Sequence, residues 1–343
     1  MNRRKFLRNT AGLAAGTSLL QDLFAIHQEP GRLMSVLGPV KPGDLGITLI
    51  HEHVMADFIG AAKTGIHRYK ADNVIAKALP YLTKLKDAGC STFIDCTPAY
   101  LGRDARILKR LAKLSGLNIF TTTGYYCAVQ QKFLPPHAYT ETAEQLASRW
   151  VDEFNNGIEG SGVVPGLIKT SVDEGPLLPV CEKVLTAVAI THLRTGLSIS
   201  AHTGDGVAAL QELAILQKNG VHPSAFRWVH AQNESDSQIH LRAAEMGAWV
   251  EFDGINGEAE NISQHVAMLK FLKSKGYLNK ILISQDAGWY WVGEPDGGTF
   301  RGYTEIFEKF VPALKREGFT NEEVKQLLVD NPRESLTIKI RRT

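Results

Sequence analysis

Two histidines one residue apart, in His51-Glu52-His53, follow an apolar run that begins at Ile47. Side chains alternate faces along an extended strand, so residues i and i+2 share a face. A strand over residues 47–53 therefore projects both imidazoles together and turns Glu52 away. Two neutral imidazoles converging at a strand end are half of a divalent-metal site of the kind that barrel proteins build. An isolated H-x-H pair is equally compatible with ordinary surface or capping histidines, and the other segments of the chain have to decide between the two.

Further short, β-branched runs end in a residue that can take part in metal binding. VVPGLIK ends at Lys169, LSISAH at His202, FRWVH at His230 and ILISQD at Asp286. Each run has about the length of a buried strand, and each terminal polar residue is followed by loop-like sequence. The functional groups of (β/α)8 barrels come from that end of the strands.

On these segments the chain resembles the phosphotriesterase family of the amidohydrolase superfamily. The resemblance runs from about Met34 to Ile338 and is carried by GITLIHEH, GRDARILKRLAKLSGLNIFTTTGYY, GLIKTSVDEG, ISQD and NPRESL. It implies a single (β/α)8 TIM barrel and a binuclear centre. His51, His53 and Asp286 would hold the more buried ion, His202 and His230 the more exposed one, and a carbamylated Lys169 would bridge them. The chemistry suits these residue types. An ammonium cannot ligate a cation, but a neutral lysine amine adds to CO2, and the carbamate formed is an anionic two-oxygen bridge; burial and nearby cations favour the neutral amine. Two ions roughly 3.5–4 Å apart can share a water and bring its pKa towards neutrality. The hydroxide so formed would be the nucleophile, and Asp286 would take its proton as general base and pass it outward. Imidazole and oxygen donors together suit Zn, and also Mn, Co or Fe.

The expected substrate has an ester-like bond: a lactone or carboxylic ester first, with phosphotriester cleavage as a side activity. Two alternatives stand beside this reading, a non-catalytic periplasmic binding protein and a mononuclear, deaminase-like amidohydrolase. The long insert after Asp286, AGWYWVGEPDGGTFRGY, reads as a loop over the barrel mouth. Trp289, Tyr290 and Trp291 are pocket candidates within it, and Arg301 is a candidate for binding a carboxylate or phosphate. Tyr126 follows the third strand, where related lactonases carry a tyrosine near the substrate. Asp253 either reaches the pocket or caps the next helix. Glu52 is expected to make a scaffold contact, and His192 and His240, in helical stretches, to face solvent or to pack.

Eight strands are expected, at 47–53, 92–97, 118–124, 163–169, 197–202, 227–230, 249–252 and 281–286. Helical patterns lie between them at 76–88, 105–114, 179–194, 207–218 and 263–276, with apolar residues three and four apart. A last helix near 321–329 should stop at Asn331-Pro332. Strand–helix alternation gives an α/β class, and 343 residues accommodate one barrel with loop insertions. No boundary within 27–343 suggests a second domain.

Residues 1–26 read as a twin-arginine export signal: Arg3 and Arg4 precede Phe6 and Leu7, and the apolar AGLAAGTSLL follows. A periplasmic location follows from that reading. The formal net charge is +2, but Arg3, Arg4, Lys5 and Arg8 outweigh Asp22 in this segment, and the remainder is near −1. No basic stripe remains for nucleic acid, and no later stretch is long and apolar enough for a transmembrane anchor. A homodimer is an expectation from relatives alone. The four cysteines, Cys90, Cys96, Cys127 and Cys181, fit no zinc spacing; buried free thiols are expected, with a disulfide as the alternative in an oxidising compartment. Fused to a reporter, residues 1–30 should direct export, and Arg3→Lys with Arg4→Lys should abolish it; a reporter retained in the cytoplasm refutes the signal.

Overall fold

The computed structural model describes residues 31–343, so the export-signal reading lies outside the described residues. A short antiparallel hairpin, β1 (Leu33–Ser35) and β2 (Gly38–Val40), precedes the main sheet system. Ten parallel strands follow: β3 (Thr48–Ala56), β4 (Thr92–Asp95), β5 (Asn118–Phe120), β6 (Thr122–Thr123), β7 (Leu167–Val172), β8 (Ile199–Thr203), β9 (Phe226–Val229), β10 (Trp249–Phe252), β11 (Ile281–Ile283) and β12 (Gly288–Trp291). They are ordered β12-β3-β4-β5 in one sheet and β6-β7-β8-β9-β10-β11 in the other.

The two sheets are parts of one ring. Only Thr121 separates β5 from β6, and only residues 284–287 separate β11 from β12. Across the second junction the Asp286 amide donates to the His51 carbonyl at 3.1 Å and the His53 amide to the Ala287 carbonyl at 3.0 Å. The two junctions merge four of the strands into two, leaving eight parallel staves, with helices between them, and the chain is a (β/α)8 barrel.

Helix positions follow local rules. Ala105–Ser115 begins at Asp104, whose carboxylate accepts from the Arg106 and Ile107 amides, and ends at the left-handed Gly116. Ala143–Asn156, which the apolar periodicity did not single out, opens with a capping box between Thr142 and Gln145. Ser237–Met246, capped by Asp236, is another helix that the periodicity did not single out. At the C-terminus the expected stop at Pro332 is wrong. A π turn over Gln326–Asp330 leads straight into a helix over Asn331–Leu336 with Pro332 as its second residue, and the widened turn just before it is where the ladder accommodates the proline's missing N–H.

Two apolar layers hold the barrel. One lies between staves and helices. The other fills the interior with Ile50, Ile94, Cys96, Phe120, Leu167, Trp249 and Leu282, together with Leu33, Leu45 and Leu336. Glu52 joins the ring at its closing seam. It is fully buried, and its carboxylate accepts from Ser284 Oγ at 2.8 Å, from the Gln285 amide at 3.1 Å and from the Ala287 amide at 2.7 Å. Burial pushes its pKa up to about 7 in spite of these bonds. Glu52→Ala strands three donors and should lower stability by about 3 kcal/mol, read from the midpoint of urea unfolding at constant slope; an unchanged midpoint refutes the seam assignment.

Candidate metal centre

His51 and His53 both project from β3 into the interior, as the fourth and sixth of its nine residues; the strand does not end at His53 as the sequence suggests but runs on to Ala56. A register shift against β4 between Leu49 and Glu52 marks a bulge there, a device that re-aims side chains at sites. His51 Nδ1 lies 2.9 Å from both Glu251 Oε1 and Asp253 Oδ2. Carboxylates accept, so His51 carries its proton on Nδ1. His53 Nδ1 lies 2.7 Å from Thr97 Oγ1. That hydroxyl gives its own proton to the Met55 carbonyl at 3.2 Å, so it accepts from His53. With Nδ1 of each ring engaged, the two Nε2 atoms are left facing each other at 3.3 Å. Burial opposes protonation of His51, but Cys96 and Asp253 outweigh it and hold its pKa well above the ordinary imidazole value, so a cation at its Nε2 would displace a proton.

The other expected ligands gather around this pair. Lys169 Nζ is 3.4 Å from His51 Nε2, and the side chain is buried. Lys169 is the third residue of β7, and the strand continues to Val172, so it does not end its stave as its sequence suggests. Asp286 Oδ1 is 3.1 Å from His53 Nε2 and 3.8 Å from His51 Nε2. It is buried without a well-aligned hydrogen-bond donor. The His230 ring stands 5.3 Å from that of His51 and 4.5 Å from that of His202. All six side chains line one cavity of about 350 Å³.

Backbone conformation puts them there. His230 (φ 63°) and Asp286 (φ 50°) are left-handed, a strained state found at functional positions. Two glycines permit close passage: Gly124, where a Cβ would collide with the Lys169 carbonyl oxygen, and Gly288, where one would collide with that of His53.

The electrostatics favour a cation. Burial drives the pKa of His53 down to about 4 and that of His202 well below the ordinary imidazole value, so both rings are neutral donors near pH 7. Burial opposes ionisation of Asp286, but the contact with His53 and the surrounding histidines outweigh it and hold the carboxyl below its usual range. Asp253 is likewise held ionised against its burial, by His230 and His51. Converging imidazole nitrogens, an ionised carboxylate oxygen without an aligned donor and a buried lysine amine form a donor set that fits divalent metal. His51, His53 and Asp286 form one compact group able to hold an ion, and His51, His230 and Asp253 another.

Asp253 was the ambiguous residue of the sequence, and its place is a brace. It accepts from His230 Nδ1 at 2.7 Å, from the His230 amide at 3.2 Å, from Gln232 Nε2 at 2.8 Å and from His51. It caps no helix; the next one, Ala259–Ser274, starts at Glu258. Sequence reading passed over Glu251 and Thr97 as braces. Glu251 lies two residues before Asp253 on the same strand face, which was the available signal.

The pocket walls are apolar: Phe58, Leu101, Tyr126, Val129, Phe133 and Trp289, with Lys132 beside them. Tyr126 stands 5.2 Å from the His202 ring, and burial pushes its pKa up, keeping the phenol protonated. Trp289 stacks on His53 at 3.9 Å. Trp291 does not line the cavity. The segment expected as a loop contains β12, but the left-handed backbone at Trp289 (φ 76°) breaks the alternation that would put the two tryptophans on one face, and Trp291 is 46% exposed and packs against Phe58 at 4.8 Å. Arg301 is also turned away, and its Nη2 donates to the Ile255 and Gln285 carbonyls, a loop-joining role. His192, His240 and His265 are buried packing residues, each with a ring nitrogen on a main-chain carbonyl. Among the cysteines, Cys90 and Cys96 are buried thiols, but Cys127 and Cys181 form a disulfide. The helix Pro179–Thr195 packs Cys181 against the chain just past β6, a proximity that spacing in sequence does not reveal.

Comparison with known proteins agrees with this architecture. The phosphotriesterase family model matches residues 31–336. The phosphotriesterase homology protein of Escherichia coli is 32% identical over 84% of this chain and 96% of its own length. An N-acetyltaurine hydrolase of Danio rerio is 27% identical over 90% of this chain and 99% of its own. A solved variant of an organophosphorus hydrolase from Deinococcus radiodurans superposes with a TM-score of 0.80 at 25% identity, covering 90% of this chain and 98% of that one. The chain belongs to the phosphotriesterase family.

Proposed function

We propose that this protein is an exported binuclear metal hydrolase that cleaves an ester-like bond, a lactone or carboxylic ester in the first place and a phosphotriester as a side reaction. The observation that carries the reading is the convergence of four imidazoles, one carboxylate and one buried lysine on a single cavity whose walls are apolar. Two divalent ions held by His51, His53, Asp286, His202 and His230, with a carbamylated Lys169 between them, would polarise the carbonyl or phosphoryl oxygen and make water a nucleophile near neutral pH.

The chain's own groups do the rest. Asp286, held ionised, accepts the proton of the attacking water and releases it towards the mouth. Tyr126, held protonated, is positioned to donate to a substrate oxygen. Phe58, Phe133 and Trp289 exclude water and bind the apolar part of the substrate. A second reading, cleavage of an amide, draws on the relative named N-acetyltaurine hydrolase; both bonds pass through a tetrahedral carbon, and the same proton acceptor serves them.

A panel of lactones, aryl esters, a dialkyl aryl phosphate and an N-acyl amino sulfonate, given to metal-loaded protein, tests the reading. Turnover of a lactone or ester, abolished by a chelator and restored by metal, is expected; preference for the amide selects the second reading, and no turnover refutes both. Lys169→Ala should lose both metals by elemental analysis, with partial recovery of activity in added short carboxylates. Asp286→Asn should lower kcat by about 10²–10⁴-fold while the unfolding midpoint changes little. Asp253→Ala, which releases two histidines at once, should weaken metal affinity about 10–100-fold, measured by competition with a chromogenic chelator.

A further inference from the structure

One wall of the pocket is built from an unusual backbone. Val129, Gln130 and Gln131 are consecutive non-glycine residues in the left-handed region, with φ of 58°, 54° and 59°. This conformation is unfavourable for L-residues, most of all for a β-branched one such as valine. A run of three persists only where the surroundings over-determine it. Val129 lines the cavity, as do Lys132 and Phe133 just beyond the run.

The restraints are identifiable. The Val129 and Gln130 amides donate to the two oxygens of Asp173 at 2.7 and 3.1 Å. The Ala128 amide donates to Ser171 Oγ at 2.8 Å. The Cys127–Cys181 disulfide ties the start of the segment to the helix Pro179–Thr195. At the far end the Lys132 carbonyl accepts from the Ala61 amide at 3.0 Å, which links this wall to the segment carrying Phe58. Successive amides turned to one side make a concavity suited to an anion; here the anion is the chain's own carboxylate. Asp173 follows β7 directly, four residues after Lys169, yet its side chain is exposed and is not part of the cavity lining.

We propose that Asp173 and the Cys127–Cys181 bridge determine substrate specificity: together they hold residues 129–131 left-handed, fix the wall that Val129 and Phe133 present, and so select the bulk of the group that the pocket accepts. Asp173 is a positioning residue, acting through the loop and not on the metals. The inference rests on the reading of this cavity as the substrate site. The disulfide makes the wall complete only where thiols are oxidised.

The test uses full-length, metal-loaded protein and two inert analogues of an ester substrate, a small and a bulky aryl ketone, with affinities from calorimetry. In parallel, amide hydrogen exchange is followed over 128–134. Asp173→Ala is expected to keep its metal content, to exchange faster in that segment, and to weaken the bulky ketone about tenfold while the small one changes less than about threefold. Cys127→Ser with Cys181→Ser should move both readouts the same way. Glycine adopts the left-handed state without strain, and neither Gln130 nor Gln131 lines the cavity. Adding Gln130→Gly and Gln131→Gly to Asp173→Ala should therefore bring the bulky ketone back to within about threefold of the parent protein. Unchanged exchange in Asp173→Ala, equal loss for both ketones, or failure of the glycines to rescue overturns the proposal. Ketone binding without hydrolysis of any ester would refute the proposed function and leave these arms decisive.

Discussion

The carboxylate of Asp253, shared between the Nδ1 atoms of His51 and His230, is the interaction on which the centre depends. It sets the tautomer of both rings, so that each presents Nε2 to the interior. Removing one such acceptor from a surface histidine would change little. Here the carboxylate and the His51 ring are fully buried and His230 is only partly exposed, so an unpaired Asp253 or His51 would carry the full cost of its desolvation. Thr97 performs the same service for His53 through a hydroxyl that has already committed its proton to a carbonyl.

A barrel makes such a shared brace feasible. Closing the parallel staves brings β3 and β10 to either side of the single stave made by β11 and β12, although two hundred residues separate His51 from Glu251. The seam that closes the ring runs between β3 and the residues after β11. Glu52 fastens it from a position between the two candidate ligands His51 and His53, while Asp286 leaves the same seam to approach them. Scaffold and site are therefore interleaved along a single strand: His51 and His53 face the cavity, and Glu52 holds the wall that keeps them there.

Above this polar floor the pocket is apolar, and the contrast has consequences. Excluding water from the walls strengthens every charge interaction below them. The walls come from loops that differ in how they are held: the segment after β3 by Asp57, which accepts from Thr64 and Arg68, and the segment after β6 by Asp173 and a disulfide. The candidate metal-binding groups and the apolar walls thus come from different parts of the molecule, the strands and the residues just past them for the first and braced loops for the second.

Much of the site was legible in the residues themselves. His51, His53, His202, His230 and Asp286 stand at or near the ends of apolar runs, and local chain geometry alone dictates that i and i+2 on a strand share a face. Strand–helix alternation likewise foretold the barrel. What the sequence could not supply were relations between distant segments. The pairing of Cys127 with Cys181, the rotation of Trp291 and Arg301 away from the cavity, the extension of β7 past Lys169 and the left-handed wall of residues 129–131 all depend on which segments become neighbours when the ring closes. Local residue type fixes what a side chain can do, because that is a property of its own atoms. Its partners are fixed by packing across the whole chain, and only the folded barrel decides that.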